Sequence, residues 1–213
     1  MKNIEHITDL CVIGGGMAGI CTAISAARHG IKVVLVQDRG VLGGNASSEI
    51  RMWICGAHGK DNRETGIIEE IMLENFFQNP QLSYSLWDMV LFDKTARQDN
   101  LTLLLNTSCL DANTENGKII SITAWQSPCE TVHTIKARYF ADCSGDSILS
   151  TLTGAHFRYG REAESEFGES IEPKTADKKT MGMSCLFQVR ETDKPQKFTP
   201  PEWAYKYCTD DDI

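Results

Sequence analysis

The sequence predicts an α/β fold: a parallel sheet carrying helices, with an antiparallel β-meander inserted into it. Three observations predict it. An apolar run, Leu10-Cys11-Val12-Ile13, passes through Gly14-Gly15-Gly16-Met17-Ala18-Gly19 into an alanine-rich stretch, Ile20 to His29, and a second apolar run, Ile31 to Val36, follows at once. Strand, glycine turn, helix, strand is the order of a parallel βαβ unit, because parallel neighbours need a crossover and cannot be joined by a tight turn. Between about 101 and 140 apolar residues recur at every second position, with a hairpin signal at Glu115-Asn116-Gly117-Lys118. Finally, Tyr139 to Asp142 runs into Ser144-Gly145-Asp146, a strand end followed by a short helical stretch closing near Gly154-Ala155.

The first unit carries the chemistry. Gly14 allows the tight turn, Gly16 lets the backbone approach a pyrophosphate, and Gly19 lets helix and strand pack closely; Met17 and Ala18 open the helix whose N-terminus faces the anion. Gly30 supplies the C-terminal stop. The plainer alternative is a tight-packing turn, but the flanking strands and helix favour a dinucleotide site. An acidic residue that grips ribose hydroxyls belongs at the end of the second strand, yet Val36 is followed by Gln37, with Asp38 next. An amide bonds a hydroxyl without the charge-assisted strength of a carboxylate, and alternation points Asp38 to the other face. Arg39 could read a 2′-phosphate, so these residues leave the choice of dinucleotide open.

Two helices follow in a segment spanning about 61–98. Arg63 to about Asn79 places Ile67, Ile68, Ile71, Met72 and Phe76 near helical spacing, and Tyr84 to Gln98 distributes Trp87, Val90, Leu91 and Lys94 round a second helix. Strands are then expected at Leu101–Leu105, Cys109–Asn113, Ile119–Trp125 and Thr131–Phe140, the meander of about 101–140.

With Asp38-Arg39-Gly40-Val41-Leu42-Gly43-Gly44-Asn45-Ala46-Ser47 after the second strand, and Tyr139-Phe140-Ala141-Asp142-Cys143-Ser144-Gly145-Asp146 a hundred residues on, the chain resembles the FAD-dependent oxidoreductases of the glutathione-reductase-like superfamily from Asp9 to about Arg190. The resemblance implies a Rossmann-like FAD-binding domain over 1–160, then a linker and the start of a substrate domain over 161–213. It implies that Gly14, Gly16 and Gly19 cradle the FAD pyrophosphate and that Gln37 and Asp38 lie near the adenosine ribose. Arg39 and Gly43-Gly44 would border the pyrophosphate and ribityl chain, Asn45 to Ser48, Ser47 included, would run toward the isoalloxazine, and Gly145 and Asp146 would close over the cofactor. Cys143-Ser144 replaces the family's usual Ala-Thr. The implied activity passes hydride or electrons between a small-molecule substrate and the flavin, with an unidentified second acceptor. An NAD(P)-binding dehydrogenase is the alternative that Arg39 favours and the Gly43-Gly44 and Gly145-Asp146 motifs disfavour; a non-catalytic dinucleotide-binding module is another.

If Gly43-Gly44 abuts the flavin, the segment Ser47 to Gly59 can meet the substrate, which makes Glu49, Arg51, Cys55 and His58 candidates for anion binding or proton transfer. The plainer reading pairs Glu49 with Arg51, packs Cys55 into the core and lets His58 cap a loop. Ala163 to Lys179 is charged and reads as loop, Met181 to Arg190 as a strand, and Glu202 to Tyr207 as the start of a helix. Because family members continue further, the chain is expected to be an N-terminal portion, and an apolar face left bare would favour self-association.

Composition bounds the rest. At 213 residues and 41% hydrophobic content, a real core is affordable, while net charge −8 and the lack of a basic stripe argue against a nucleic-acid partner. Met1 to Asp9 is too polar for a signal peptide and no apolar run approaches membrane-spanning length, so a cytoplasmic protein without a membrane partner is expected. Eight cysteines show no Cys-x-x-Cys spacing, which supports neither a metal site nor a dithiol relay.

Overall fold

Strands β1 (Lys2–Ile13) and β2 (Val33–Val36) pair in parallel with Ile13 opposite Val36, and helix α1 (Met17–Arg28) makes the crossover between them. This computed structural model describes residues 1–57, 59–60, 62–181 and 189–209. It separates into two units, Met1–Thr180 and Met181–Ile213. In the first, helices α2 (Gly66–Gln78) and α3 (Tyr84–Ala96) lead to β3 (Leu101–Leu104), which pairs in parallel with β2. Strands β4 (Thr107–Glu115), β5 (Lys118–Gln126) and β6 (Thr131–Asp142) form the antiparallel meander, and β6 also pairs in parallel along β1, giving one six-stranded sheet of order β3-β2-β1-β6-β5-β4. Helix α4 (Ile148–Thr153) ends at Gly154, whose left-handed φ of 70° is open to glycine without strain.

Alternation along the strands sorts the core into two layers. Val12, Val33 and Leu35 cluster with Ile20, Ala23 and Ile24 of α1 and with Ile71, Val90 and Leu91 of α2 and α3. Their neighbours Cys11, Ile13, Val34, Val36 and Leu104 point the other way and cluster with Ile122, Ala124 and Ile135 of the meander and Leu149 of α4. Strand β2 is therefore buried on both faces, which is why it reads as an uninterrupted apolar run.

The structure redraws three expected elements. Strand β1 begins at Lys2 rather than Leu10: residues 2–8 pair with β6 alone, and β2 joins β1 only from Leu10 onward, so the first half needs no apolar run. Leu101–Leu104 lies beside β2 in the parallel half, outside the meander; its period is the same in either place, and only the crossover through α2 and α3 decides between them. The third meander arm and the strand ending in the Gly145-Asp146 turn are one element, β6. The charged segment 163–179 is also less irregular than its composition suggests, since it holds α5 (Glu164–Phe167) and a backbone bridge from Arg161 to Asp177 reinforced by their side chains.

Within the second unit, the described residues form no helix or strand. A turn in which Ala204 N–H donates to Pro201 O stands where a helix was expected, and the rings of Tyr205 and Tyr207 meet edge to face. The strand expected at Met181 to Arg190 falls largely on 182–188, outside the described residues.

Besides ion pairs such as Lys136–Glu5, a chain of polar contacts joins β1 to the meander. His6 Nε2 lies 2.9 Å from His133 Nδ1, His133 Nε2 lies 3.2 Å from Gln126 Oε1, and Gln126 Nε2 donates to Leu105 O at 2.9 Å. Burial lowers the pKa of both imidazoles, and the His6 and Lys2 charges lower that of His133 further. The native state therefore disfavours protonation while the unfolded chain takes up protons near pH 6.5, so stability is complete above that value and declines as pH falls through it. The urea midpoint of the wild type is expected to fall between pH 7.5 and 5.5, and His133→Gln to flatten that dependence; equal slopes would remove the pair as its cause.

Candidate functional site

At the C-terminal ends of the parallel strands, where α/β sheets bind ligands, the turn after β1 is held by backbone-to-backbone contacts. A Cβ on Gly14 would stand 2.3 Å from Cys143 O at the end of β6, and one on Gly19 would stand 1.8 Å from Gly14 O. Both glycines are steric necessities of bringing α1 and β6 against the same turn. Gly16 instead faces Gly44: a Cβ on Gly44 would stand 3.2 Å from Gly16 Cα, Gly43 N–H donates to Gly15 O at 2.8 Å, and Gly43 takes a left-handed φ of 107°. The second glycine pair thus lies directly on the first motif.

These segments border a cleft of about 730 Å³. Gly16 caps α1 without a side-chain hydrogen bond, and the first turn carries no acidic residue. The helix therefore presents first-turn N–H groups and the positive end of its dipole without a side-chain acceptor. Gly14, Gly16 and Met17 line the cleft, whereas Gly19 is buried and Ala18, although exposed, lies off it.

The end of β2 is built differently from the expectation. Gln37 is only 4% exposed; its Oε1 accepts from Gly15 N–H at 2.7 Å and its Nε2 donates to Val41 O at 2.9 Å. Both ends of the amide are spent stapling the glycine turn to the segment after β2. Asp38, on the opposite side of the chain, is exposed and lines the cleft. Arg39 lines it too, but its Nε donates to Glu49 Oε2 at 2.8 Å, so Glu49 pairs with Arg39 and not with Arg51.

Gly43, Gly44 and Asn45 line the cleft, while Ser47 is buried off it, its Oγ accepting from Glu49 N–H at 3.3 Å. On the far side, Gly145 and Asp146 line it in a loop organised by Asp142. Asp142 Oδ1 accepts from both Ser144 N–H and Ser144 Oγ–H, its Oδ2 accepts from Leu149 N–H, and Ser144 Oγ accepts from Ile148 N–H. Sequence reasoning missed Asp142 and Ser144 in this role; an Asp-x-Ser pair just before a short helix was the available signal.

Arg51 and Cys55 lie outside the cleft lining, and His58 lies outside the described residues. Cys55 is exposed rather than core. Sequence reasoning also missed Thr107, Ser108 and Cys109, which enter the cleft because Thr107 N–H donates to Gln37 O and Asn106 N–H to Arg39 O. Their place beyond β3 became legible only once β3 was seated beside β2. Burial and the Asp142 charge push the Cys109 thiol up to about 11, and burial also raises Cys143, so both stay protonated at neutral pH and offer no thiolate. Among the described residues no cluster of His, Cys, Asp or Glu could hold a metal ion.

The model of the FAD dependent oxidoreductase family matches residues 9–212. The chain belongs to this family. It is 36% identical over 66 residues to a glycerol-3-phosphate dehydrogenase of Mycobacterium leprae, covering 31% of this chain and 11% of that one. It is 48% identical over 44 residues to glutathione reductase of Schizosaccharomyces pombe, covering 21% and 10%. The matches thus span about a tenth of each curated relative. Among solved structures, a geranylgeranyl bacteriochlorophyll reductase-like protein from Thermoplasma acidophilum shares the fold at TM-score 0.50 and 16% identity, over 74% of this chain and 45% of that one.

The Gln37 staple gives a direct test. Gln37→Glu removes the donor to Val41 O and sets a carboxylate against that carbonyl, so it should cost about 1–3 kcal/mol in urea unfolding at pH 7. An unchanged midpoint would show that the amide bonds carry no stability.

Proposed function

We propose that the cleft holds FAD and that the whole protein transfers hydride or electrons between a small organic substrate and that flavin. The observation that carries this is the uncapped α1 N-terminus beside the Gly16–Gly44 approach. A Cβ on Gly16 would meet no protein atom nearer than Gly44 Cα at 4.0 Å, so the missing side chain there leaves room for a ligand rather than relieving a protein clash. A pyrophosphate has the charge and the acceptor oxygens that this helix end lacks.

The amides at Gly16 and Met17 would hold the pyrophosphate, Asp38 would accept from ribose hydroxyls, and Gly145 and Asp146 would border the cofactor from the β6 side. Bound FAD supplies the two-electron chemistry; the chain's share is position and exclusion of water. Gln37 serves by fixing the glycine turn, since both its polar ends are already bonded. Arg39 weighs against a 2′-phosphate cofactor, because such an anion would have to displace Glu49 from it. The thiols of Cys11, Cys21, Cys55, Cys109, Cys129 and Cys143 are unbridged, which suits a reducing, cytoplasmic compartment.

The test is the visible spectrum of the desalted chain after incubation with FAD. About one flavin per chain is expected, and Gly16→Val, whose native φ of −67° suits valine, should lower retention at least about tenfold with an unchanged far-UV circular dichroism spectrum. Flavin retained equally by the variant would overturn the placement of the pyrophosphate.

A further inference from the structure

Beside the cleft lies a second cavity of about 320 Å³ between α2, α3 and the segment 46–54. The two share one wall, Ala46, Met52, Trp53 and Ile54. No charged side chain lines the smaller one among the described residues. Most of its polar groups are already committed: Asn79 Nδ2 donates to Asn75 Oδ1 and Ser83 O, Asn79 Oδ1 accepts from Ser83 N–H, and Trp87 Nε1 donates to Ala46 O at 2.7 Å. Apart from the Asn75 amide nitrogen and the Ser83 hydroxyl, what remains for a ligand is carbon surface, with Trp53 and Phe76 72% and 61% exposed.

A cation, Arg51, stands beside the lining residue Tyr84. The Arg51 guanidinium carbon lies 5.2 Å from the centre of the Tyr84 ring, and Tyr84 Oη donates to Arg51 O at 3.2 Å, so the ring and hydroxyl that help line the cavity also fix the arginine. Arg51 Nε donates to Ser48 O, and no carboxylate reaches its guanidinium within ion-pair distance among the described residues. The nearby acids are engaged elsewhere, Glu49 with Arg39 and Asp88 with Ser48 N–H. Arg51 holds this position with a left-handed φ of 62°, unusual for a long side chain.

We infer that this cavity binds the apolar body of an aromatic carboxylate, whose carboxylate meets Arg51, and that it is the substrate pocket of the neighbouring cleft. The assignment as substrate pocket rests on the reading of that cleft as the FAD site. A cavity of this size takes a bicyclic ring, and a planar guanidinium at an apolar rim selects a carboxylate over a neutral group.

The probes are 2-naphthoate and its neutral counterpart 2-naphthamide, titrated into the chain by calorimetry, with flavin absorbance recorded on the same samples. Naphthoate should bind saturably at one per chain and the amide about fivefold more weakly, the span of an exposed ion pair. Arg51→Gln should make the two equal. Phe76→Glu should weaken both at least about tenfold by placing a charge in the apolar body site. Leu110→Glu, at an exposed apolar position on β4 away from both cavities, should change neither. Absent saturable binding, equal affinity of the two probes for the wild type, or indifference to Phe76→Glu would overturn the inference. So would a dimer in sedimentation that Phe76→Glu dissociates and naphthoate does not, since a second copy would then occupy the cavity. Naphthoate binding as expected without flavin retention would sink the cofactor reading and the pocket's tie to it, whereas retained flavin without naphthoate binding would sink the pocket alone.

Discussion

Everything at the cleft depends on how closely three backbones approach at the first glycine turn. Gly14 lies against the carbonyl of Cys143, Gly19 against the carbonyl of Gly14, and Gly16 against Gly44. The first two contacts leave no room for a methyl group, so they fix the distance between α1, β1 and the end of β6. With that distance fixed, the α1 N-terminus opens beside the Gly145-Asp146 loop instead of packing into protein. The third contact differs in kind. Its 4.0 Å clearance at Gly16 is ordinary van der Waals spacing, so no protein contact requires glycine there and the space beside it stays open to the cleft.

The amide of Gln37 extends that constraint to the second strand. In place of a carboxylate facing a ribose, the chain has a neutral group that can both accept from Gly15 and donate to Val41. A buried carboxylate could satisfy the first partner only, and would bring a charge into a position that is almost fully covered. The replacement therefore suits a structural post, and the carboxylate that lines the cleft here is the exposed Asp38. Alternation correctly separated these two residues, but it could not say which face was which.

The βαβ unit, the two helices and the hairpin were legible because each is set by local pattern: apolar period, glycine position, turn residues. Position within the sheet was not, since Leu101–Leu104 has the same alternation whether it joins β2 or the meander. Polar residues hid the first half of β1, which is covered along one edge only. At the site, the glycines were readable because their requirement is steric and local. The roles of Asp142, Ser144 and Thr107 depend on hydrogen bonds and on chain paths that meet only after folding. The same reason undid the Glu49–Arg51 pair: two residues apart in sequence, they are separated by a turn that sends Glu49 to Arg39 and sets Arg51 over Tyr84.

That turn shows what the helical segment between β2 and β3 contributes. Tyr84, Trp87 and Asp88 share one face of α3, at the spacing that brings side chains together on a helix. From that face Trp87 Nε1 donates to Ala46 O, Asp88 Oδ1 accepts from Ser48 N–H, and Tyr84 Oη donates to Arg51 O. Three hydrogen bonds along six residues hold the segment after Gly44 in place, while Gly43 N–H ties its start to Gly15. The wall between the two cavities is thus positioned from both sides, by the parallel sheet through the glycine turn and by α3 through this row of side chains. A change that tilts α3 must move Ala46 and Arg51 together, and with them one side of each cavity. Cleft and groove are therefore mechanically coupled through Ala46 to Ile54, whatever occupies either of them.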